Sequence, residues 1–140
     1  MYSRLRVRVM DLTFQLIAAD KAVTFGDTKE GIFGMRLAQS FTEKEGLVIQ
    51  NSQGAKGEAR CWGKPARWVD YSTKIDGDFL GVSILDHPQS FRHPTHWHAR
   101  GHSLFAANPF GLHDFYNDDR KDGKYILSQG QSIRFRYRVY

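Results

Sequence analysis

The chain has 140 residues, of which 41% are apolar and 25% charged, with a formal net charge of +5. That is enough for one domain with a modest core, it excludes a disordered composition, and no run is apolar and long enough to cross a membrane as a helix. Cys61 is the single cysteine, which excludes an internal disulfide framework and the cysteine-rich zinc modules.

The chain opens on strict alternation. In "RLRVRV", Leu5, Val7 and Val9 fall on one side and Arg4, Arg6 and Arg8 on the other, the pattern of a half-buried strand. No small-residue cleavage site follows an apolar run, so this start does not read as a secretory leader, and the expected location is the cytoplasm. Further extended segments are predicted over Leu12–Ile17, Gly31–Ala38, Gly46–Ile49, Ala66–Tyr71, Phe79–Leu85 and His93–Arg100. Turn chemistry separates them, notably at Asp76–Asp78 and Lys121–Lys124. The last stretch, "SIRFRYRVY", sets Ile133, Phe135, Tyr137 and Val139 against Ser132, Arg134, Arg136 and Arg138.

No segment carries a helical stripe longer than about one turn. Short strands at roughly ten-residue spacing predict an all-β fold, an antiparallel β-sandwich over residues 1–140, either as a single domain or as half of a larger one. Both ends of the chain read as strand, so self-association or a complementing N-terminal half is expected to cover the exposed edges. The arginines lie along strands rather than on a recognition helix. They read as a basic sheet face or a contact to a missing partner, not as a nucleic-acid site.

Three polar regions carry the chemistry. In "FGDTKEGIFGMR", Asp27, Lys29 and Glu30 lie at the mouth of a strand that contains Arg36; Lys29 and Glu30 are acid–base or carboxylate-binding candidates if the loop faces the histidines. In "NSQGAKGEARCWGKPARWVDYS", Asn51, Glu58, Lys64, Arg67 and Asp70 lie among aromatics, and Trp62 and Trp68 offer flat surfaces for a sugar ring or for a core. Cys61 in this region reads as a buried, inert thiol.

The third region, "DHPQSFRHPTHWHARGHSLFAANPFGLHDF", holds all six histidines. On a strand, His96 and His98 share one face with Trp97 on the other, a plausible pair of metal ligands that needs a third from elsewhere. The same stretch supplies Asp86, Arg92, Arg100 and Asn108, a set suited to orienting a polar small molecule with histidine as proton carrier or hydrogen-bond donor.

Together the motifs "VTFGDTKEGIFGMRLA", "NSQGAKGEARCWGKPARWVDYS", "GVSILDHPQSFRHPTHWHARGHSLFAANPFG" and "SIRFRYRV" resemble the C-terminal half of the bacterial PmoA-like family, from about Val23 to Val139. Members of that family are often labelled methane oxygenase PmoA, a membrane enzyme whose transmembrane helices have no counterpart in this chain. The resemblance implies a β-rich fold akin to the galactose-mutarotase supersandwich, common in bacteria that degrade polysaccharides. It places recurrent polar positions at Asp27, Lys29, Glu30 and Arg36, at Asn51, Glu58, Trp62, Arg67 and Asp70, and at Asp86, His87, Arg92, His93, His98 and Asn108. Family members are about twice this length, so the resemblance implies that the chain supplies half of the sheet system.

Two departures bear on the metal reading. His96 stands where the family pattern has tyrosine, and "ARGHS" replaces something like "VRDYG", which makes His102 irregular as well. A family metal site would not depend on His96, which leaves His93, His98 and His87 as the better trio.

The expected function is therefore to act on or bind a carbohydrate or related polyhydroxylated molecule. As an enzyme it would transfer protons through His93 or His98 with Glu30 or Asp70; Lys29, Arg36, Trp62, Arg67, His87, Arg92 and Asn108 are the expected ligand contacts. No cofactor is firmly implied. The alternatives are a carbohydrate-binding or structural module using Trp62 or Trp97, and a metal-dependent enzyme using His93, His98 and His87.

Overall fold

A computed structural model describes residues 7–140. Arg4, Leu5 and Arg6 of the predicted first strand lie outside the described residues, and Val7 to Val9 precede the first strand rather than forming one. The order is β1 (Met10–Ile17), β2 (Val23–Phe25), β3 (Phe33–Arg36), a 3₁₀ turn (Glu43–Glu45), β4 (Val48–Asn51), α1 (Glu58–Cys61), β5 (Trp68–Ile75), β6 (Asp78–Asp86), β7 (His96–Ala99), β8 (Leu104–Asn108), α2 (Leu112–Tyr116), β9 (Tyr125–Leu127) and β10 (Ser132–Val139). Each helix is a single turn, as the missing helical period requires. No helix among the described residues is long and apolar enough to cross a membrane.

The fold is all-β and antiparallel. A five-stranded sheet runs β1-β10-β6-β5-β4, a three-stranded sheet runs β3-β8-β7, and β2 pairs with β9. Alternation sorts the two faces of the large sheet. On β10, Ile133, Phe135, Tyr137 and Val139 are buried, and the register places Arg134, Arg136 and Arg138 beside Gln15, Thr13 and Asp11 of β1 on the outer face. The inner face packs against the small sheet: the Tyr71 ring stacks on Phe105 at 4.1 Å, and Phe33 on Tyr137 at 4.9 Å. The Tyr71 hydroxyl ties the layers further by bonding to the backbone at Arg100 and Leu104. Trp97 is fully buried between them, its indole N–H donating to the Ala66 carbonyl at 2.9 Å.

The β5–β6 hairpin turns on Asp76 and Gly77, with φ of 51° and 92°, the left-handed pair that a two-residue hairpin turn needs. Phe79 near its tip is 75% exposed.

Three strands have no counterpart in the alternation. β8 is buried along most of its length because it is the middle strand of the small sheet, covered on both faces, so its "LFAAN" shows no polar alternation. β2 and β9 are three residues each, too short to display a period. The predicted strand over His93–Arg100 contracts to His96–Ala99; Arg92, just before it, takes a left-handed φ of 56°.

Candidate functional site

On β7, Trp97 points into the core, which turns His96 and His98 outward onto the far face of the small sheet. The loop from Asp27 to Ile32 lies across that face. Asn108 holds it there: fully buried, it donates from Nδ2 to the Thr28 carbonyl at 2.8 Å, while its Oδ1 accepts the Phe110 N–H at 2.9 Å. Gly31 permits the close approach, because a Cβ at that position would sit 2.7 Å from the Ala106 Cβ. The loop so placed brings the Lys29 carbonyl to His98.

His98 is 5% exposed, and its Nδ1–H donates to the Lys29 carbonyl at 2.7 Å. That bond fixes the tautomer, and the Nε2 lone pair accepts the Arg100 Nε–H at 3.2 Å. Burial pulls the imidazole pKa below its ordinary value. The Lys29 carbonyl opposes this, Arg100 adds to it, and Glu30, close enough to act through its charge, opposes it. The ring is thus a neutral histidine with both nitrogens engaged.

The His98 ring stacks on Trp62 with centroids 5.4 Å apart, and the Arg100 guanidinium lies 4.4 Å from the Trp62 ring centre. Arg100 also donates from Nη1 to Glu58 Oε1 at 2.9 Å, and Glu58 Oε2 accepts the Gly101 N–H at 2.6 Å. Burial pushes the Glu58 carboxyl up, but the Gly101 and Arg100 bonds outweigh it and hold the group below the usual range. Phe115 of α2 meets Trp62 edge-on at 4.8 Å. Gly63, at φ of 66°, lets the chain turn under Phe115, where a Cβ would come within 2.8 Å of the Phe115 Cβ. The result is a cleft of about 450 Å³ whose walls are Trp62 and Phe115 with Glu43, Glu58, Lys64 and Asp114 at its rim.

Three sequence regions therefore meet here: Lys29 and Glu30 from the first, Glu58 and Trp62 from the second, His98 and Arg100 from the third. Asn108 serves the site from beneath, with both ends of its amide occupied by the backbone, rather than as a ligand contact.

The remaining expected residues lie elsewhere. His93 donates from Nδ1 to Asp86 Oδ2 at 2.8 Å, and the same oxygen accepts the Thr95 N–H at 2.9 Å. Asp86 is 4% exposed; burial raises its pKa against the pull of these hydrogen bonds. Arg92 is a backbone clamp: it donates to the carbonyls of Pro109, Gly123 and Lys124, and its guanidinium lies against the rings of Phe91, Phe110 and Tyr125 at 5.2 to 5.5 Å. Asp70 sits on the outer face of the large sheet and accepts the Ser83 hydroxyl. His87 flanks that face and accepts the Gln89 N–H at Nδ1. Arg67 is exposed beside Ser52, and Arg36 donates to the His102 carbonyl. The expected proton-transfer set of His93, His98, Glu30 and Asp70 is accordingly divided among three places. Among the described residues no three His, Cys, Asp or Glu side chains are grouped to hold a metal, so His87, His93 and His98 do not form a ligand set.

Of the other histidines, His96 bonds to the Tyr116 hydroxyl at 3.1 Å and stacks on Phe115, while His113 pairs with Asp119, which raises its pKa. Cys61 is fully buried, and burial pushes its thiol pKa up, as an inert cysteine requires.

Sequence reasoning underweighted Arg100 and Glu58 and did not find Phe115 or Asp114. Arg100 carried a signal, since two residues past His98 an extended chain returns to the same face. Phe115 and Asp114 come from a one-turn helix with no motif.

A model described as a family of unknown function (DUF6807) matches residues 2–140. Neither the curated proteins nor the solved structures contain a match to the chain.

Proposed function

The chain belongs to this family of unknown function, and we propose that it binds a neutral carbohydrate or related polyhydroxylated molecule in the cleft beside Trp62. The observation that carries this reading is the pairing of a flat aromatic wall with a rim rich in carboxylates. Trp62 and Phe115 offer surface for the C–H face of a sugar ring, and Glu43, Glu58 and Asp114 supply acceptors for hydroxyl hydrogens. An anionic ligand would meet three carboxylates against Lys64, so hydroxyl donors are the better complement. The volume of about 450 Å³ suits one or two sugar rings.

Binding is favoured over proton transfer by the state of His98. Both of its nitrogens are engaged, and burial holds it neutral. It stiffens the back of Trp62 and does not offer a free base to the cleft. The resemblance to the PmoA-like family, whose implied fold is common in bacteria that degrade polysaccharides, agrees with this ligand class.

Titration with a panel of neutral mono- and disaccharides, followed by calorimetry and by ligand-observed NMR, tests the reading. Millimolar or tighter binding that Trp62→Ala weakens about tenfold, while Trp68→Ala leaves it intact, is the expected result. Binding indifferent to Trp62→Ala overturns it.

A further inference from the structure

The arginine ladder of β10 is not absorbed by the cleft. It lies on the opposite side of the molecule, on the outer face of the large sheet, beside a recess of about 550 Å³. Cross-strand register builds this face in rows. Trp68, Leu85, Arg138 and Asp11 form one row across β5, β6, β10 and β1. In the next, Arg136 pairs with Thr13, and the His87 N–H bonds to the Arg136 carbonyl.

The charges on these rows are unevenly compensated. Arg138 is neutralised by a two-pronged pair with Asp11, at 2.6 and 2.7 Å. Arg136 meets the neutral Gln89 side chain at 2.9 Å, and the Arg134 side chain has no hydrogen bond or ion pair among the described residues. His87 Nδ1 is occupied as acceptor of the Gln89 N–H at 3.0 Å, so the neutral ring carries its proton on Nε2 and is a donor there. The other carboxylate at the recess, Asp86, is buried: its Oδ2 accepts from His93 and Thr95, and its Oδ1 has no hydrogen-bond partner among the described residues. What remains is a set of donors: the Arg136 guanidinium, His87 Nε2–H and the Thr13 hydroxyl. Leu85 joins the recess to a neighbouring hollow that includes Trp68.

We propose that this recess binds the oxyanion of a small ligand, a carboxylate or a phosphate monoester, whose ring lies over Leu85 and Trp68. Arg136 is the principal contact, because it presents a planar fork with no carboxylate partner. The site is independent of the cleft at Trp62 in residues and in ligand charge; the Asp70 carboxylate beside Trp68 accepts the Ser83 hydroxyl.

The test is an NMR titration of the full chain read at the Trp68 indole, with galacturonate, glucose 6-phosphate and uncharged glucose as probes. Galacturonate reports a carboxylate and glucose 6-phosphate a phosphate, and whichever binds more tightly identifies the source. The proposal expects at least one of these anions to bind about tenfold or more tightly than glucose at this position, to weaken about tenfold in Arg136→Gln, and to recover in part in Arg136→Lys. Raising the salt from 0.05 to 0.5 M weakens it further, as expected for an exposed charge pair, and Trp62→Ala has no effect. No binding of either anion, equal affinity for glucose, or anion binding unchanged in Arg136→Gln overturns the proposal without touching the reading of the cleft.

Discussion

His93 and His98 stand five residues apart in one motif and end in different kinds of surroundings. His93 leans on Asp86, a carboxylate sealed inside the sandwich whose Oδ2 also accepts the Thr95 N–H and whose Oδ1 has no partner among the described residues. His98 is buried too, but its ring lies against Trp62, as does the Arg100 guanidinium, and Trp62 borders an open cleft. Both rest on a carboxylate, since Glu58 anchors Arg100 as Asp86 anchors His93. The difference lies in where the unsatisfied chemistry points. Around Asp86 it is turned inward and serves the fold; around Glu58 it borders solvent-filled space beside an aromatic wall.

The contrast breaks most visibly at Asp86. Asp86→Ala strands the Thr95 N–H and frees His93, so stability is expected to drop by about 2–4 kcal/mol in urea unfolding, with saccharide binding by the remaining folded protein unchanged. Trp62→Ala is the mirror case. It is expected to weaken saccharide binding about tenfold, roughly 1.4 kcal/mol, with a smaller loss of stability than Asp86→Ala because Trp62 is only half-buried.

The pH dependence separates the two sites by sign. The His98 pKa is depressed on folding, so between the ordinary histidine value of 6.5 and that lower value the unfolded chain binds the extra proton, and stability falls as pH falls through this window. His98→Gln is expected to flatten that slope in urea titrations between pH 7 and 5. The Asp86 pKa is raised, so its contribution is present below the ordinary 3.8 and is lost as pH rises through the folded value. Asp86→Asn removes that loss while its amide oxygen still accepts from Thr95, and stability at pH 7 is expected to stay within about 1 kcal/mol of the parent. The smallest effect belongs to His87→Gln, whose side chain bonds to neither Asp86 nor His98, and which is expected to change stability by less than about 0.5 kcal/mol in the same unfolding assay.

The strands most legible in the sequence are those with one wet face. The alternation of "SIRFRYRV" marks both the strand and its inner side, because polar residues facing water keep the period visible. β8 escaped for the opposite reason, since burial on both faces removes the polar half of the pattern. Among site residues, Trp62 and the loop of Lys29 and Glu30 come together at His98. Spacing along a chain says which face a side chain takes within its own strand but not which loops fold over that face. Asp70 shows the limit: it stands twenty residues from Gln50 in the sequence, yet pairs with it across β4 and β5, on the face turned away from His98. Arg92 shows another, for a guanidinium inserted among three carbonyls has the same letter as one that meets a ligand.

The three tryptophans report on three places: Trp62 on the cleft, Trp68 on the outer face of the large sheet, and Trp97 on the core, where its N–H is held by Ala66. Their indole N–H signals, assigned by single substitution and followed during titration with a neutral saccharide, test the central claim most directly. The account predicts a saturable shift of the Trp62 signal with Trp68 and Trp97 unmoved. A saccharide that binds while Trp62 stays still would contradict it.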